Sequence, residues 1–240
     1  MQIAPHLYRL GNDIIASYLI SLPEGVTLID AGLPGHWGDL VAQLDALDRP
    51  VTDVRGLILT HGHYDHIGFA ERLRQEAAVP VYVHSEDSQL ARTGRQPGES
   101  GVSPGPFRLG PLLQFYAYGL RKNGMRPRYL GEVVEISSGA VLDLPGEPRI
   151  IGLPGHSPGS VALHVPALDA VFVGDALTTR HVLTGRTAPQ PSPFTAEPEQ
   201  ADASLSLLAD IPASWVLPGH GAPWRGSPAD LVDKVRAFPG

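Results

Sequence analysis

The sequence predicts an α/β protein in which two β-sheets pack together and helices cover their outer faces, a four-layer αβ/βα sandwich. Strand and helix patterns alternate in the first third of the 240 residues, and five short strand patterns follow in the second half. Helical patterns then close the chain. Hydrophobic residues make up 42% and charged residues 18%, a balance that buries a core and excludes extensive disorder. We expect a single domain over residues 1–240.

The first third contains short apolar runs bounded by turn residues. They predict strands at residues 12–20, 26–30, 56–60 and 79–84. Gly32, Pro34 and Gly35 break the second of these strands, and helical spacing of apolar residues follows at 37–47. A second helix is predicted at 69–77, where the pattern is amphipathic. The strand at 56–60 runs directly into a histidine-rich segment, so those histidines are expected at a strand end.

The second half has closely spaced strands separated by turn residues. Strands are predicted at 132–136, 140–144, 149–153, 161–165 and 170–174. A helix at 197–210, a strand at 215–217 and a helix at 228–237 complete the chain. The order of strands, helices, strands and helices is what favours two sheets with helices outside.

Residues 92–128 form a long irregular segment of unusual charge. They contain seven basic residues against one acid, Glu99, a charge of +6 in a chain of net −7, which leaves −13 elsewhere. The segment also carries apolar and aromatic residues, among them Leu112, Leu113 and Phe115. We interpret it as a lid-like insertion at about 92–131, with two alternatives: its basic residues pair with acids on the same surface, or its aromatic residues form a homodimer contact.

Composition excludes several classes of protein. Cysteine is absent, so a metal has to be held by histidine, aspartate or glutamate. The charge of −7 argues against a nucleic-acid partner. The sequence contains no run of eighteen apolar residues, so a membrane partner is not expected either. The first residues lack a signal-peptide pattern, so a cytoplasmic location is expected.

Four short motifs at strand ends carry the candidate chemistry. They are His61-x-His63-x-Asp65-His66, Gly155-His156-Ser157-Pro158-Gly159, Gly174-Asp175 and Pro218-Gly219-His220-Gly221. Imidazole and carboxylate are good ligands for Zn²⁺ or Fe²⁺. Alternate residues of an extended segment point the same way, so His61 and His63 can grip one ion. So many polar groups converging without a metal would leave an unsatisfied interior, and the set therefore predicts a metal site.

These motifs, in this order, resemble those of the metallo-β-lactamase superfamily over about residues 14–220. The resemblance implies one metal held by His61, His63 and His156, and a second held by Asp65, His66 and His220. Asp175 would bridge both metals. Asp30 matches a further family position, which implies that it supports the ligands from behind. Two zinc ions are expected, with iron or manganese as alternatives.

The implied activity is hydrolysis of a small molecule. Paired metals would share a bridging hydroxide, and Asp65 could orient it or move its proton. A thioester, lactone or other ester of a small, anionic metabolite is expected as the substrate. The alternatives are a mononuclear iron persulfide dioxygenase, a β-lactamase, a phosphodiesterase, and a binding module without turnover.

Three residues outside the ligand set are candidate substrate contacts. His181 lies six residues beyond Asp175 and could reach the pocket from the loop after the strand. Tyr116 and Arg121 belong to the insertion, where an aromatic ring and a basic group could meet an apolar, anionic substrate. His6, His36 and His164 are expected at the surface or at an edge.

Overall fold

The larger of the β-sheets is built mainly from the first half of the chain. The structure, a computed structural model, describes residues 1–95, 105–126 and 128–239. In these ranges the sheet contains β1 (Gln2–Ala4), β2 (Leu7–Gly11), β3 (Ala16–Leu22), β4 (Gly25–Ile29), β5 (Val54–Ile58), β6 (Val81–His84) and β7 (Val134–Ile136), adjacent in that order. The pairs from β1 to β4 are antiparallel and those from β4 to β7 are parallel.

A second sheet comes from the second half. Its strands are β8 (Arg149–Gly152), β9 (Val161–Val165), β10 (Ala170–Gly174), β13 (Trp215–Pro218) and β14 (Trp224–Arg225), in the order β14-β13-β10-β9-β8. A separate antiparallel ribbon pairs β11 (Thr178–Arg180) with β12 (Thr187–Gln190). Because β10 and β13 are parallel neighbours, both end at the same edge of the sheet.

Seven α-helices lie in the described ranges. They are α1 (Trp37–Ala46), α2 (Ala70–Ala77), α3 (Ser88–Thr93), α4 (Leu109–Arg121), α5 (Pro198–Ser204), α6 (Ser206–Ala209) and α7 (Pro228–Arg236). No helix in the described part of the chain is both long and apolar enough to span a membrane.

Three buried clusters show the four layers. One cluster joins the larger sheet to α1, α2 and α3, for example Leu28 with Leu40 and Leu73. The second lies between the sheets, where Tyr18 meets Phe172 edge to face with ring centroids 5.3 Å apart. The third joins the smaller sheet to α6, α7 and Leu205, the residue between α5 and α6. Each sheet is covered on both faces, which explains why strands such as β4 and β10 are buried along their whole length rather than at alternate residues. The predicted αβ/βα sandwich is confirmed.

Several predicted elements differ from the structure. The strand predicted at 12–20 begins at Ala16, and β1 and β2 were not predicted. The strand predicted at 140–144 is wrong, because only Val141 makes a bridge, to Arg149. The helix predicted at 197–210 is divided at Leu205, beside two serines that hydrogen-bond to carbonyl groups of the preceding turn.

The insertion was also predicted incorrectly in part. It is not irregular throughout, because α4 occupies 13 of its residues. Gly110 and Pro111 lie in the first turn of α4, where proline is tolerated. Residues 96–104 and 127 of the insertion lie outside the described residues.

Candidate metal centre

The predicted ligands converge at the edge of the sandwich where β5, β10 and β13 end. Three groups of side chains each bring their ligand atoms within 4.8 Å of one another. The groups are His61/His63/His156, His61/His66/Asp175 and Asp65/His66/His220. All seven sequence-predicted ligands therefore lie in one site, although they come from four separate segments of the chain.

Asp175 occupies the position between the two histidine groups. Its Oδ2 lies 3.0 Å from His220 Nε2 and 3.6 Å from His156 Nε2. Its Oδ1 lies 3.5 Å from His66 Nε2. One carboxylate thus faces imidazoles of both predicted metal sites, which is the geometry that a bridging ligand requires.

Hydrogen bonds behind the site fix which ring nitrogen of each histidine faces inward. His66 Nδ1 donates to Asp30 Oδ2 at 2.9 Å, and His220 Nδ1 donates to the Ile14 carbonyl. The Thr60 hydroxyl donates to Asp30, so it accepts from His61 Nδ1 at 3.1 Å. Each of these rings therefore carries a proton on Nδ1 and turns Nε2 toward the site.

The same rule applies to His156. The Thr195 hydroxyl donates to the Ser192 carbonyl at 2.9 Å and lies 3.3 Å from His156 Nδ1, so it accepts the proton of that ring. His156 Nε2 in turn faces His63 Nδ1 at 3.0 Å. His63 thus presents Nδ1 to the site, whereas the other four histidines present Nε2.

Buried atoms without partners show that the donor set fits a cation. Among the described residues, no hydrogen-bond partner is found for His61 Nε2, His66 Nε2 or Asp175 Oδ1, and all three atoms are buried. Leaving such atoms unsatisfied costs about 1–3 kcal/mol each. Nitrogen and carboxylate donors at this spacing match Zn²⁺, Fe²⁺ or Mn²⁺.

The electrostatics around Asp30 and Asp175 favour positive charge. Burial alone would lower the pKa of His66, but Asp30 and Asp175 outweigh it and raise that pKa to about 10. Burial opposes ionisation of Asp175, yet His220 and His66 hold its pKa well below the usual range. Burial instead lowers the pKa of His156 to about 3, which keeps that ring neutral, the form in which imidazole binds a metal. A cation bound among these groups would take the place of the proton that His66 attracts.

Asp30 lies where the sequence predicts a supporting carboxylate. It is buried, and its Oδ1 accepts from the Thr60 backbone N–H at 2.8 Å. Its Oδ2 accepts from the Thr60 hydroxyl and from His66. Asp30 therefore fixes the orientation of His66 and, through Thr60, that of His61.

Asp87 is a second supporting carboxylate, and the sequence analysis missed it. It is fully buried between two loops that carry predicted ligands. It accepts from the Gly62 N–H at 2.8 Å, the Gly159 N–H at 2.7 Å and the Ser157 hydroxyl at 2.6 Å. Asp87 thus ties the loop of His61 and His63 to the loop of His156. It follows a strand end, as the ligands do, but that signal alone does not separate it from an ordinary helix cap.

A pocket of about 310 Å³ opens onto the ligands. Beyond the ligands, its walls are Tyr64, Phe115, Val182, Pro193 and Phe194. Burial, and then Asp65, raises the pKa of Tyr64, so its hydroxyl keeps its proton at neutral pH. Phe115 comes from α4, which brings part of the insertion to the pocket.

The three predicted substrate contacts have different positions. His181 is buried beside the pocket, where burial and then His220 lower its pKa. Tyr116 is 55% exposed and does not line the pocket. Arg121 is also elsewhere: it lines a separate cavity with Arg9 and Asp39, so the structure does not bring it to the ligands.

His36 and His164 are buried, contrary to the expectation that they lie at the surface or an edge. His36 Nδ1 accepts from the Leu33 N–H at 2.7 Å, and its Nε2 donates to the Tyr118 hydroxyl, also at 2.7 Å. This contact attaches α4 to the body of the protein. His36 is buried because α4 covers it.

The chain is similar to the proteins of one known family. The family model of the metallo-beta-lactamase superfamily matches residues 10–220. The chain belongs to this superfamily.

The probable metallo-hydrolase YflN of Bacillus subtilis (strain 168) is 30% identical over 94% of this chain and 87% of its own. Hydroxyacylglutathione hydrolase GloC of Haemophilus influenzae is 27% identical over 64% of this chain and 62% of its own. The crystal structure of TTHA1623 in a di-iron-bound form has a TM-score of 0.64 and 27% identity, and the match covers 96% of this chain and 98% of that one.

Proposed function

We propose that this superfamily member is a dinuclear metal-dependent hydrolase of a thioester, lactone or other ester of a small, anionic metabolite. The observation that carries the proposal is Asp175, whose carboxylate faces both histidine groups at once. A site for one ion would not need seven converging ligands and a shared carboxylate. The pocket of about 310 Å³ suits the reacting part of a small molecule.

The first metal would be held by His61, His63 and His156, and the second by Asp65, His66 and His220, with Asp175 between them. Zinc, iron and manganese all accept this donor set. The di-iron form of TTHA1623 supports iron as one occupant. The name of GloC supports a thioester substrate, because hydroxyacylglutathione joins an acyl group to a thiol.

Bound divalent cations would supply Lewis acidity, which activates a water molecule near neutral pH and polarises a carbonyl group. The side chains do the rest of the chemistry. Asp65 Oδ2 lies 3.6 Å from His220 Nε2 and lines the pocket, so it can accept a proton and pass it to the leaving group. Tyr64 keeps its hydroxyl proton and can donate a hydrogen bond to the substrate. Phe115 and Phe194 contribute apolar surface to the same pocket.

The proposal is tested by metal analysis joined to a substrate panel. The protein, reconstituted separately with zinc, iron and manganese, is expected to bind two ions and to hydrolyse at least one ester, thioester or lactone. Asp175→Ala is expected to lose both ions and activity, whereas His220→Ala is expected to weaken mainly the second ion. Two ions and full activity in Asp175→Ala would show that the shared carboxylate is not needed.

A mononuclear persulfide dioxygenase is the second candidate. The di-iron-bound form of TTHA1623 supports it, because that structure shows that a similar protein binds iron. It would need one iron only, held by His61 or His63 with His156 and Asp175. One iron per chain, with oxygen uptake in the presence of a persulfide and no ester hydrolysis, would replace the first proposal by this one.

A further inference from the structure

A second and larger cavity lies directly beside the metal pocket. Its volume is about 720 Å³, and it shares Pro193 and Phe194 with the metal pocket. The other walls come from α5, α7, residues 181–192 and residues 105–108 before α4. Its volume is within the range of ligand sites, about 300–1,000 Å³. We call it the arginine cavity, because its lining residues include Arg108, Arg186 and Arg236.

The walls of the arginine cavity are mostly apolar, with positive charge among them. Phe107, Leu205 and Phe238 contribute apolar surface. Among the lining residues that the structure describes, Asp202 is the only acid, and its Oδ1 pairs with Arg236 Nε at 3.2 Å. Three arginines against one aspartate leave a formal charge of +2, in a chain of net −7.

Polar groups that can hold a ligand lie in the same walls. Ser192 Oγ is buried and has no hydrogen-bond partner within the described ranges. His181 Nδ1 accepts from the backbone N–H groups of Leu183 and Thr184, each at 3.3 Å, so its proton lies on Nε2. The Arg186 guanidinium stacks on Phe238, 4.1 Å from the ring centroid, which orients a cation over an apolar surface.

The arginine cavity is connected to the metal centre through the segment 192–195. Thr195 lines the cavity, and its hydroxyl holds His156 Nδ1 at 3.3 Å. Phe194 lines both cavities, and its φ of 58° places it in the left-handed region, which is uncommon for a bulky residue. A ligand that fills the cavity therefore reaches within one layer of side chains of the predicted metal ligands.

We propose that the arginine cavity binds the non-reacting part of the substrate, an apolar chain that ends in a carboxylate or a phosphate. The inference rests on the proposed hydrolase function and places the ester at the metal centre. The apolar walls remove the chain from water, and a guanidinium pairs with the anionic end in a bidentate contact. A neutral or cationic chain end would leave the formal charge of +2 in the walls uncompensated.

The test uses three ligands that cannot be hydrolysed at an ester: decanoate, decyl phosphate and decanol. Calorimetric titration of the metal-loaded protein is expected to show tighter binding of at least one anion than of decanol. Arg186→Gln is expected to lower the affinity for that anion by about tenfold, because one charge-assisted contact is lost. The affinity for decanol is expected to stay unchanged. The anion that binds more tightly identifies the carboxylate or the phosphate as the natural group.

Arg225→Gln is the matched control. Arg225 also stacks on an aromatic ring, that of Trp215 at 5.6 Å, but it does not line the cavity. Equal losses in the two variants, no loss in Arg186→Gln, or equal binding of all three ligands would overturn the inference. The titration does not depend on turnover. Ester hydrolysis without preferential anion binding would therefore refute only the proposal that the arginine cavity binds an anionic chain end. Anion binding without ester hydrolysis would refute only the proposed hydrolase activity.

Discussion

Replacing Asp87 should weaken metal binding without touching a predicted ligand. Its carboxylate accepts three hydrogen bonds, from the Gly62 and Gly159 backbones and from the Ser157 hydroxyl. In Asp87→Asn, an amide that keeps its oxygen toward Gly62 and Ser157 must turn its NH₂ group toward the Gly159 N–H. The charge-assisted bond from Gly159 is then lost, because two N–H donors face each other. The bonds from Gly62 and Ser157 remain, but their acceptor is now a neutral amide oxygen.

The cost is large compared with the stability of a domain. A hydrogen bond to a charged group contributes about 1.5–3 kcal/mol, so Asp87→Asn should lower the free energy of unfolding by about 3 kcal/mol. Asp87→Ala leaves all three donors unpaired at about 1–3 kcal/mol each, so it should cost more. Residues that orient metal ligands typically change metal affinity by about 10–100-fold, and we expect that loss mainly at the His61/His63/His156 group.

The assay is competition with a chromophoric chelator, which resolves the two binding steps, combined with urea unfolding of the metal-free protein. Asp45→Asn makes the same chemical change at an exposed position of α1 and should alter neither quantity. If Asp87→Asn retains wild-type affinity for both ions, the tie between the two loops does not position ligands, and Asp87 only stabilises the fold.

Two further predictions concern other residues. A Cβ at Gly219 would lie 2.5 Å from Asp175 Oδ1 and from His66 Cε1, so Gly219→Ala should displace these groups and release metal; Gly38→Ala, with nothing within 4 Å, should not. Elemental analysis of both variants decides this. Burial lowers the pKa of His36 from 6.5 to about 4. The unfolded chain thus binds more protons between those values, and at pH 5 the folded state should be destabilised by about 2 kcal/mol relative to pH 7. Urea unfolding of metal-free wild type and His36→Asn checks this, and an equal pH dependence in both would contradict it.

The metal ligands could be predicted from sequence because each depends on a local pattern. A buried strand followed by histidine or aspartate places that side chain at a sheet edge, and parallel neighbours such as β10 and β13 bring two such ends together. Asp87 could not be predicted in the same way. Its role depends on Gly62 and Gly159 approaching it from loops that are far apart in sequence, and only the packed structure shows that approach.

The helix α4 of the insertion could not be predicted from local sequence either. Gly110, Pro111 and Gly119 weaken any helical pattern, yet α4 forms because Tyr118 packs into a small buried cluster with Leu33. Tertiary contact outweighs local propensity there. His36 is buried by the same helix, through its contact with Tyr118. Residue type alone could not predict that burial.

The basic residues of the insertion serve two separate places, so its net charge was a poor guide to function. Lys122 pairs with Asp39 through both carboxylate oxygens, at 2.9 and 2.8 Å, and Arg121 lies over the Tyr118 ring at the same end of α4. The Lys122–Asp39 pair fastens the C-terminal end of α4 to α1, whereas Arg121 contacts a ring of its own helix. Arg108, at the opposite end, lines the arginine cavity, and its N–H donates to the Leu183 carbonyl at 2.9 Å. Arg108, just before α4, can therefore meet an anionic ligand, whereas Lys122, just after α4, holds the helix in place.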